Sequence, residues 1–163
     1  KPALRYIRLD REKQKPIYSG NFHMSIDQGM CELYRGSNVC VITSGYMMGR
    51  AITARESLIK SGHNIGIIDL FRIKPIDLHI LKDLIKGYTG IIALEEQGLD
   101  GGFGSAVLEA LNALSINIPV KRMGLPPKYF FENGGRDYIL DNNGLSIKDI
   151  CATVEALIQS DSA

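Results

Sequence analysis

The chain has 163 residues, which suffices for one domain of ordinary size with a hydrophobic core that needs no disulfide bonds. Hydrophobic residues make up 45% of the chain and charged residues 23%, and the net charge is +1. These values argue against a disordered chain and against nucleic acid as a partner, and no apolar run approaches the ~20 residues that span a membrane. The three cysteines are far apart and form no C-x-x-C pair, so a disulfide framework and a zinc site are not indicated and a reducing cytoplasm is expected.

The chain opens with residues 3–9, a partly alternating apolar and basic run that predicts a half-buried strand. It starts at Lys1 without a methionine and enters this strand almost at once, so we expect a segment of a longer polypeptide. Arg8 and Arg11, where the strand would end, have two interpretations. A guanidinium there could hold a phosphate or carboxylate, but the charge pattern alone favours a solvated linker.

Regular α/β patterning begins at residue 39 and continues to the end of the chain. The predicted strands are 39–43, 65–70, 91–94 and 120–123, and the predicted helices are about 48–61, one capped by Asp77, one after residue 104, 137–141 and a final helix with a Ser146–Asp149 capping box. Three successive strand-to-helix units imply right-handed parallel crossovers, and near-continuous apolar strands predict a sheet covered on both faces. The pattern therefore predicts an α/β fold.

Two acids followed by a glycine-rich stretch separate the third strand from its helix. The acids are Glu95 and Glu96, and the glycines are Gly98, Gly101, Gly102 and Gly104. This stretch is either a phosphate-binding loop or a tight crossover turn, and its G-x-x-G-G-x-G spacing after the third strand differs from the dinucleotide fingerprint, which favours the turn. Adjacent acids leaving a strand point to opposite faces, so an interface or supporting role is predicted rather than a catalytic pair.

No self-contained catalytic or metal centre is predicted elsewhere. His23, His63 and His79 have no carboxylate or cysteine at ligand spacing, and a nucleophile elbow is missing. The aromatic residues 129–131 are expected either to close the core under the last helices or to seat another subunit.

Several segments together resemble the carboxy-terminal part of the transketolase-like thiamine diphosphate enzymes, the family of transketolase and 1-deoxy-D-xylulose-5-phosphate synthase. The resemblance lies in residues 41–45, in residues 68–77 with their Lys-Pro-Ile-Asp element, and in residues 94–106 with their Glu-Glu and Gly-Gly elements. Residues 6–11 look like the last strand of the family's pyrimidine-binding domain. The resemblance divides the chain into that strand and a linker over 1–15, a wrapping loop with a possible edge strand over 16–37, and a transketolase C-terminal domain over 38–160.

The resemblance implies a three-layer α/β/α domain with a mostly parallel five-stranded sheet, one of whose edge strands is antiparallel. It implies an enzyme that transfers a two-carbon ketol unit between sugar phosphates with thiamine diphosphate and Mg²⁺. In that family two other domains hold the cofactor, and this chain lacks their G-D-G metal motif and the cofactor-activating glutamate. We therefore expect the chain to bind no cofactor or metal, to have no catalytic residue and to be inactive alone. Its partners would be the thiamine diphosphate-binding domains or subunit, in a homodimeric assembly.

The family places a basic residue after the pyrimidine-domain strand to hold the substrate phosphate. That residue is Arg8 when the chain is aligned with the synthase and Arg11 when it is aligned with transketolase. Gln97 stands where many members have histidine, which argues against a proton-transfer role there. The Ile-Arg-x-x-Arg start favours transketolase. The alternatives are the synthase, which uses pyruvate and glyceraldehyde 3-phosphate, and an independent anion- or nucleotide-binding module built on the turn Gly98–Gly104.

Overall fold

The computed structural model describes residues 4–11, 13–18 and 25–161 as a five-stranded sheet with helices on both faces. After a short 3-10 helix at Ile26–Gln28, the strands and α-helices in chain order are β1 (Cys31–Tyr34), β2 (Val39–Thr43), α1 (Tyr46–Lys60), β3 (Gly66–Asp69), α2 (Leu78–Leu84), β4 (Gly90–Gly98), α3 (Phe103–Ala113), β5 (Val120–Leu125), α4 (Gly135–Asp141) and α5 (Ile147–Asp161). The strand order is β1-β3-β2-β4-β5, and only the edge pair β1–β3 is antiparallel among these strands. The predicted fold class is confirmed.

Alternate residues of each central strand pack on opposite faces of the sheet and so divide the core in two. Val41 and Ile92 point toward α1 and α5, where Met47 and Val154 join them. Ile42 and Ile91 point toward α2 and α3, whose apolar faces form the second half of the core. The sheet is buried on both sides, as the apolar strands predicted.

After β2 the chain adds β3 on one side of β2 and then β4 on the other. This change in the order of the strands places a crevice between the carboxyl ends of β2 and β4. Thr43 and Leu94 are paired there, and the Thr43 hydroxyl donates to the Leu94 carbonyl at 2.7 Å. We call the end of the sheet where β2, β3, β4 and β5 finish the carboxyl edge. In α/β proteins ligands and contacts gather at this edge.

The strand predicted to stop at Leu94 runs on through both acids to Gly98, so that prediction was wrong. β5 also extends beyond its predicted end, and Gly98 pairs with Leu125 after a register shift. The backbone of the acids is therefore held beside β5, and only the residues after Gly98 form the turn.

The strand predicted over residues 3–9 is not formed in its described part, residues 4–9, and Ala3 lies outside the described residues. Leu4, Ile7 and Leu9 are 104%, 74% and 83% exposed. A strand needs a hydrogen-bonded neighbour, and none of the described strands lies beside this segment.

The two predicted caps are present. The Asp77 carboxylate accepts the amides of His79 and Ile80 at the start of α2. Ser146 and Asp149 form the reciprocal capping box that begins α5. Of the possible edge strand in residues 16–37 the structure forms β1, while residues 19–24, which include His23, lie outside the described residues. Over the described residues no helix has both the length and the apolarity to cross a membrane.

Candidate functional site

Glu95 lies at the carboxyl edge and binds the first amides of α3. Its Oε2 accepts the Phe103 N–H at 2.7 Å and its Oε1 accepts the Gly104 N–H at 2.8 Å. The side chain is buried, and burial raises the pKa of the Glu95 carboxyl above its usual value although the two amides and Arg122 act in the opposite direction. The amino end of a helix is where a bound anion is most stable, and here the chain supplies that anion itself.

The glycines of the turn make room for this carboxylate. A Cβ on Gly102 would lie 2.2 Å from Glu95 Oε2 and 2.3 Å from the Gly98 carbonyl oxygen, and a Cβ on Gly104 would lie 2.9 Å from Arg122 Cδ. Gly101 has a φ of +68°, the left-handed region that glycine adopts most easily. The arrangement favours a close-packed crossover turn over a phosphate-binding loop.

Glu96 faces away from α3, toward the amino-terminal segment and α4. Its Oε1 accepts Arg8 Nη2 at 2.8 Å, and its Oε2 lies 3.5 Å from Arg136 Nε. Arg136 also binds both carboxylate oxygens of Asp10, at 2.6 and 3.0 Å. The Arg8 side chain is 59% exposed, whereas that of Glu96 is 13% exposed, so Glu96 binds one nitrogen of Arg8 while more than half of the Arg8 side chain faces solvent. Arg11 is exposed and forms no ion pair with the residues that the structure describes.

A second ion-pair cluster fastens α4 to α1. Arg136 stacks over the Tyr46 ring at 4.3 Å, and the Tyr46 hydroxyl donates to Asp137. Arg50 binds Asp137 at 2.7 Å and also donates to Asp141. The hydrogen bonds from Tyr46 and Arg50 hold the pKa of Asp137 below its usual value. Sequence reasoning missed this cluster because its partners lie 87 to 91 positions apart.

Asp69 ends β3 at the same edge and binds Tyr18, which lies 13 positions before the first residue of β1. The Tyr18 hydroxyl donates to Asp69 Oδ2 and lies 3.5 Å from Cys31 Sγ. Burial raises the pKa of the Asp69 carboxyl, although its hydrogen bonds lower it, and burial likewise raises the pKa of Tyr18. Because Asp69 follows an apolar strand, the sequence could have indicated that its carboxyl has a role at the edge of the sheet. Nothing in the sequence marked Tyr18 as its partner.

The aromatic residues after β5 do not all serve the core. Tyr129 and Phe131 are 87% and 88% exposed, so of the two expected roles core closure is wrong for these two rings. Phe130 is half-buried, with Lys128 Nζ 5.1 Å from its ring centre.

The carboxyl edge does not fit thiamine diphosphate. A diphosphate would use the amides of Phe103 and Gly104, which already bind Glu95, and the Glu95 carboxylate would repel it. Across the described ranges no three histidine, cysteine or carboxylate side chains gather as a metal site.

Comparison with known families matches residues 31–150 to the family described as transketolase, C-terminal domain. The 1-deoxy-D-xylulose-5-phosphate synthase of Shouchella clausii is 34% identical over 126 residues, 77% of this chain and 20% of that protein. The synthase of Bacillus velezensis is 32% identical over 155 residues, 93% of this chain and 23% of that protein. The chain thus spans about a fifth of the length of these curated relatives.

Two solved structures are similar in fold. One, described as a split gene transketolase, inactive beta4 tetramer, has a TM-score of 0.75 at 26% identity over 89% of this chain and 46% of that chain. A transketolase mutant from Pichia stipitis has a TM-score of 0.59 at 13% identity over 82% of this chain and 18% of that chain, which is a likeness of fold alone.

Proposed function

The chain belongs to the transketolase C-terminal domain family, and from this membership we propose that it is the structural domain of a transketolase-type transferase that moves a two-carbon ketol unit between sugar phosphates. Thiamine diphosphate and Mg²⁺ would be held by other domains or by another subunit of that enzyme. The chain alone would be inactive and would support those domains in a two-fold dimer.

The contact of Glu95 with the amides of Phe103 and Gly104 carries this proposal. An α/β domain that binds a phosphorylated ligand at its switch point leaves such amides for the ligand. Here a buried carboxylate of the same chain satisfies them, and the neighbouring Glu96 holds the amino-terminal segment. Both acids therefore support structure at this edge rather than chemistry.

The amino-terminal segment would contribute a substrate contact. Arg8 and Arg11 are the two candidates, and Arg8 has the better support because Glu96 orients it while more than half of its side chain remains exposed. A guanidinium oriented in this way would bind the phosphate of a sugar phosphate through paired N–H donors.

The assembly is tested by mixing the chain with the thiamine diphosphate-binding polypeptide of the same enzyme and measuring ketol transfer from xylulose 5-phosphate. We expect no turnover from the chain alone and turnover from the mixture. Turnover or calorimetric binding of thiamine diphosphate by the chain alone would contradict the proposal. Saturable phosphate binding that is lost in Gly102→Val would instead support an anion-binding module.

The substrate contact is tested in the same mixture. Arg8→Ala should raise KM for the phosphorylated substrate about tenfold or more, since a hydrogen bond to a charged group contributes about 1.5–3 kcal/mol. Arg5→Ala, a neighbouring exposed arginine, is the matched control and should change KM little. If Arg11→Ala raised KM and Arg8→Ala did not, Arg11 would be the phosphate ligand.

The second candidate is 1-deoxy-D-xylulose-5-phosphate synthase, favoured by relatives of that name that are 32–34% identical to the chain. Supplying pyruvate and glyceraldehyde 3-phosphate to the mixture distinguishes the two, because only the synthase would form 1-deoxy-D-xylulose 5-phosphate. A cytoplasmic location is also proposed for this enzyme, on the support of three free thiols at Cys31, Cys40 and Cys151.

A further inference from the structure

Arg136 is the residue at which the amino-terminal segment, β4 and α1 meet. It lies in the first turn of α4, and its Nη1 and Nη2 bind the two carboxylate oxygens of Asp10 at 2.6 and 3.0 Å. Its Nε lies 3.5 Å from Glu96 Oε2, and its Cζ lies 4.3 Å from the centre of the Tyr46 ring. The Arg136 side chain is 27% exposed. Paired hydrogen bonds on one edge and a ring against one face fix the plane of this guanidinium.

The amino-terminal segment is held on the domain by ion pairs at two points. Over residues 4–11 no strand forms, and the large apolar side chains of the segment are 74% or more exposed, so apolar packing contributes little to its placement. Arg8 binds Glu96 at 2.8 Å, and Asp10, two residues later, binds Arg136. One such contact would let the segment pivot, whereas two contacts fix both its position and its direction.

The contacts of Arg136 differ from those of Arg8 in what they leave open. Both terminal nitrogens of Arg136 bind Asp10, whereas Arg8 uses one nitrogen on Glu96 and its side chain is 59% exposed. The carboxylates of Asp10 and Glu96 would repel an anion that approached Arg8. Arg136 places a positive charge against both of them. It therefore acts on an anion at Arg8 in two ways, by holding the segment and by offsetting the charge of the two acids.

We propose that Arg136 is a positioning residue for the phosphate of the substrate, because it clamps Asp10, shares Glu96 with Arg8 and so keeps the Arg8 guanidinium in place at the carboxyl edge. The inference rests on the function proposed above, in which Arg8 binds that phosphate. It adds a residue of α4 that lies 126 positions from its partner Asp10 and does not itself touch the substrate.

Digestion of the chain alone with chymotrypsin tests the clamp. This protease cuts after Tyr6 and Leu9, whose side chains are exposed but which lie in the held segment. Arg136→Gln should raise the cutting rate about threefold or more, because proteolysis follows the population in which the segment has come free. Arg136→Lys keeps the charge but loses the paired bonds, so its cutting rate should lie between those of Arg136→Gln and the unmodified chain.

The matched control is Arg55→Gln on α1. Arg55 also stacks over a tyrosine, with its Cζ 4.4 Å from the centre of the Tyr34 ring. It donates to the Asn64 side chain and to the Ile65 carbonyl, beside the amino end of β3 and thus at the opposite end of the sheet. This variant loses contacts of the same kind without touching the clamp, so it should change neither the cutting rate nor KM.

Turnover in the mixture with the thiamine diphosphate-binding polypeptide tests the effect on the substrate. Arg136→Gln should raise KM for xylulose 5-phosphate about three- to tenfold with little change in kcat. It should leave KM for xylulose, which lacks the phosphate, unchanged. In the Arg8→Ala background, Arg136→Gln should add little to the loss caused by Arg8→Ala alone, since Arg136 acts through Arg8.

Three results would overturn the positioning role while turnover by the unmodified mixture upholds the proposed function. In the first, Arg136→Gln leaves either the cutting rate or KM for xylulose 5-phosphate unchanged. In the second, KM rises equally for xylulose. In the third, the losses caused by Arg8→Ala and Arg136→Gln add in full. Absence of turnover in the unmodified mixture would instead overturn the proposed function and, with it, the role of Arg136 toward the phosphate.

Discussion

Adding one methyl group at Gly102 should break the contact on which the crossover turn depends. In Gly102→Ala the new Cβ would lie 2.3 Å from the Gly98 carbonyl oxygen, more than ~1 Å inside ordinary contact. It would also lie 2.2 Å from Glu95 Oε2, the atom that accepts the Phe103 N–H. The backbone oxygen cannot rotate away, so either the turn shifts or Glu95 withdraws.

The cost follows from these two consequences. Overpacking a close contact costs about 1–3 kcal/mol, and an amide that loses its buried acceptor costs about 1–3 kcal/mol. Because relaxation of the turn relieves part of each, we expect Gly102→Ala to lower the free energy of unfolding by about 2–4 kcal/mol. For a domain of this size that corresponds to a fall in Tm of roughly 5–15 °C.

Urea unfolding followed by circular dichroism measures this free energy, and Gly49→Ala is the matched control. Gly49 lies inside α1, is exposed, and a Cβ there would meet nothing within 4 Å. Alanine should therefore stabilise the domain at Gly49 by about 0.5–1 kcal/mol through its higher helix propensity. A glycine-to-alanine substitution should thus lower the free energy of unfolding at position 102 and raise it at position 49.

The reasoning would be refuted if Gly102→Ala unfolded within about 0.5 kcal/mol of the unmodified domain, the range of ordinary surface substitutions. Hydrogen exchange localises the effect, because the amides of Phe103 and Gly104 should exchange faster in the variant. A stability loss with unchanged exchange at these amides would assign the cost to another part of the domain.

Two further predictions concern the ionisable contacts of the carboxyl edge. Burial raises the pKa of Asp69 in the folded chain, so ionisation of this carboxyl favours the unfolded chain. We compare the free energy of unfolding of the unmodified chain with that of Asp69→Asn. Relative to the variant, the unmodified chain should lose stability as pH rises from about 4, the pKa of an unfolded aspartate, through the higher pKa of the folded state. Urea titrations across that range test this, and a relative stability that increased with pH would contradict it. Arg50→Gln should cost about 1–2 kcal/mol, a figure reduced because its partners Asp137 and Asp141 are largely exposed. Faster hydrogen exchange in α4 should accompany this loss, and unchanged exchange there would show that Arg50 does not hold the helix.

The caps and the central strands were predictable because their signals are local. Asp77 stands one residue before its helix, and the bonds of the Ser146 capping box span three positions. The apolar runs of β2 and β3 mark buried strands without knowledge of their neighbours.

The last residues of β4 show where local signals end. Two acids and a glycine-rich stretch are poor strand formers, which predicted a stop at Leu94. Pairing of Gly98 with Leu125 extends the strand regardless, because a neighbouring strand supplies the hydrogen bonds. The opposite error at residues 4–9 has the same cause, since a strand-like sequence without a neighbouring strand forms no ladder and its side chains stay exposed.

The α/β order, the family resemblance and the glycine-rich turn could all be predicted, since each depends on residues that are neighbours along the chain. The contacts of the site residues, in contrast, follow from the packing of elements that are distant along the chain. Glu95 binds the amides of α3 because β4 and α3 pack together, and Arg136 meets Asp10 across 126 positions because α4 folds back over the carboxyl edge. Such contacts depend on crossovers and packing that no local pattern encodes.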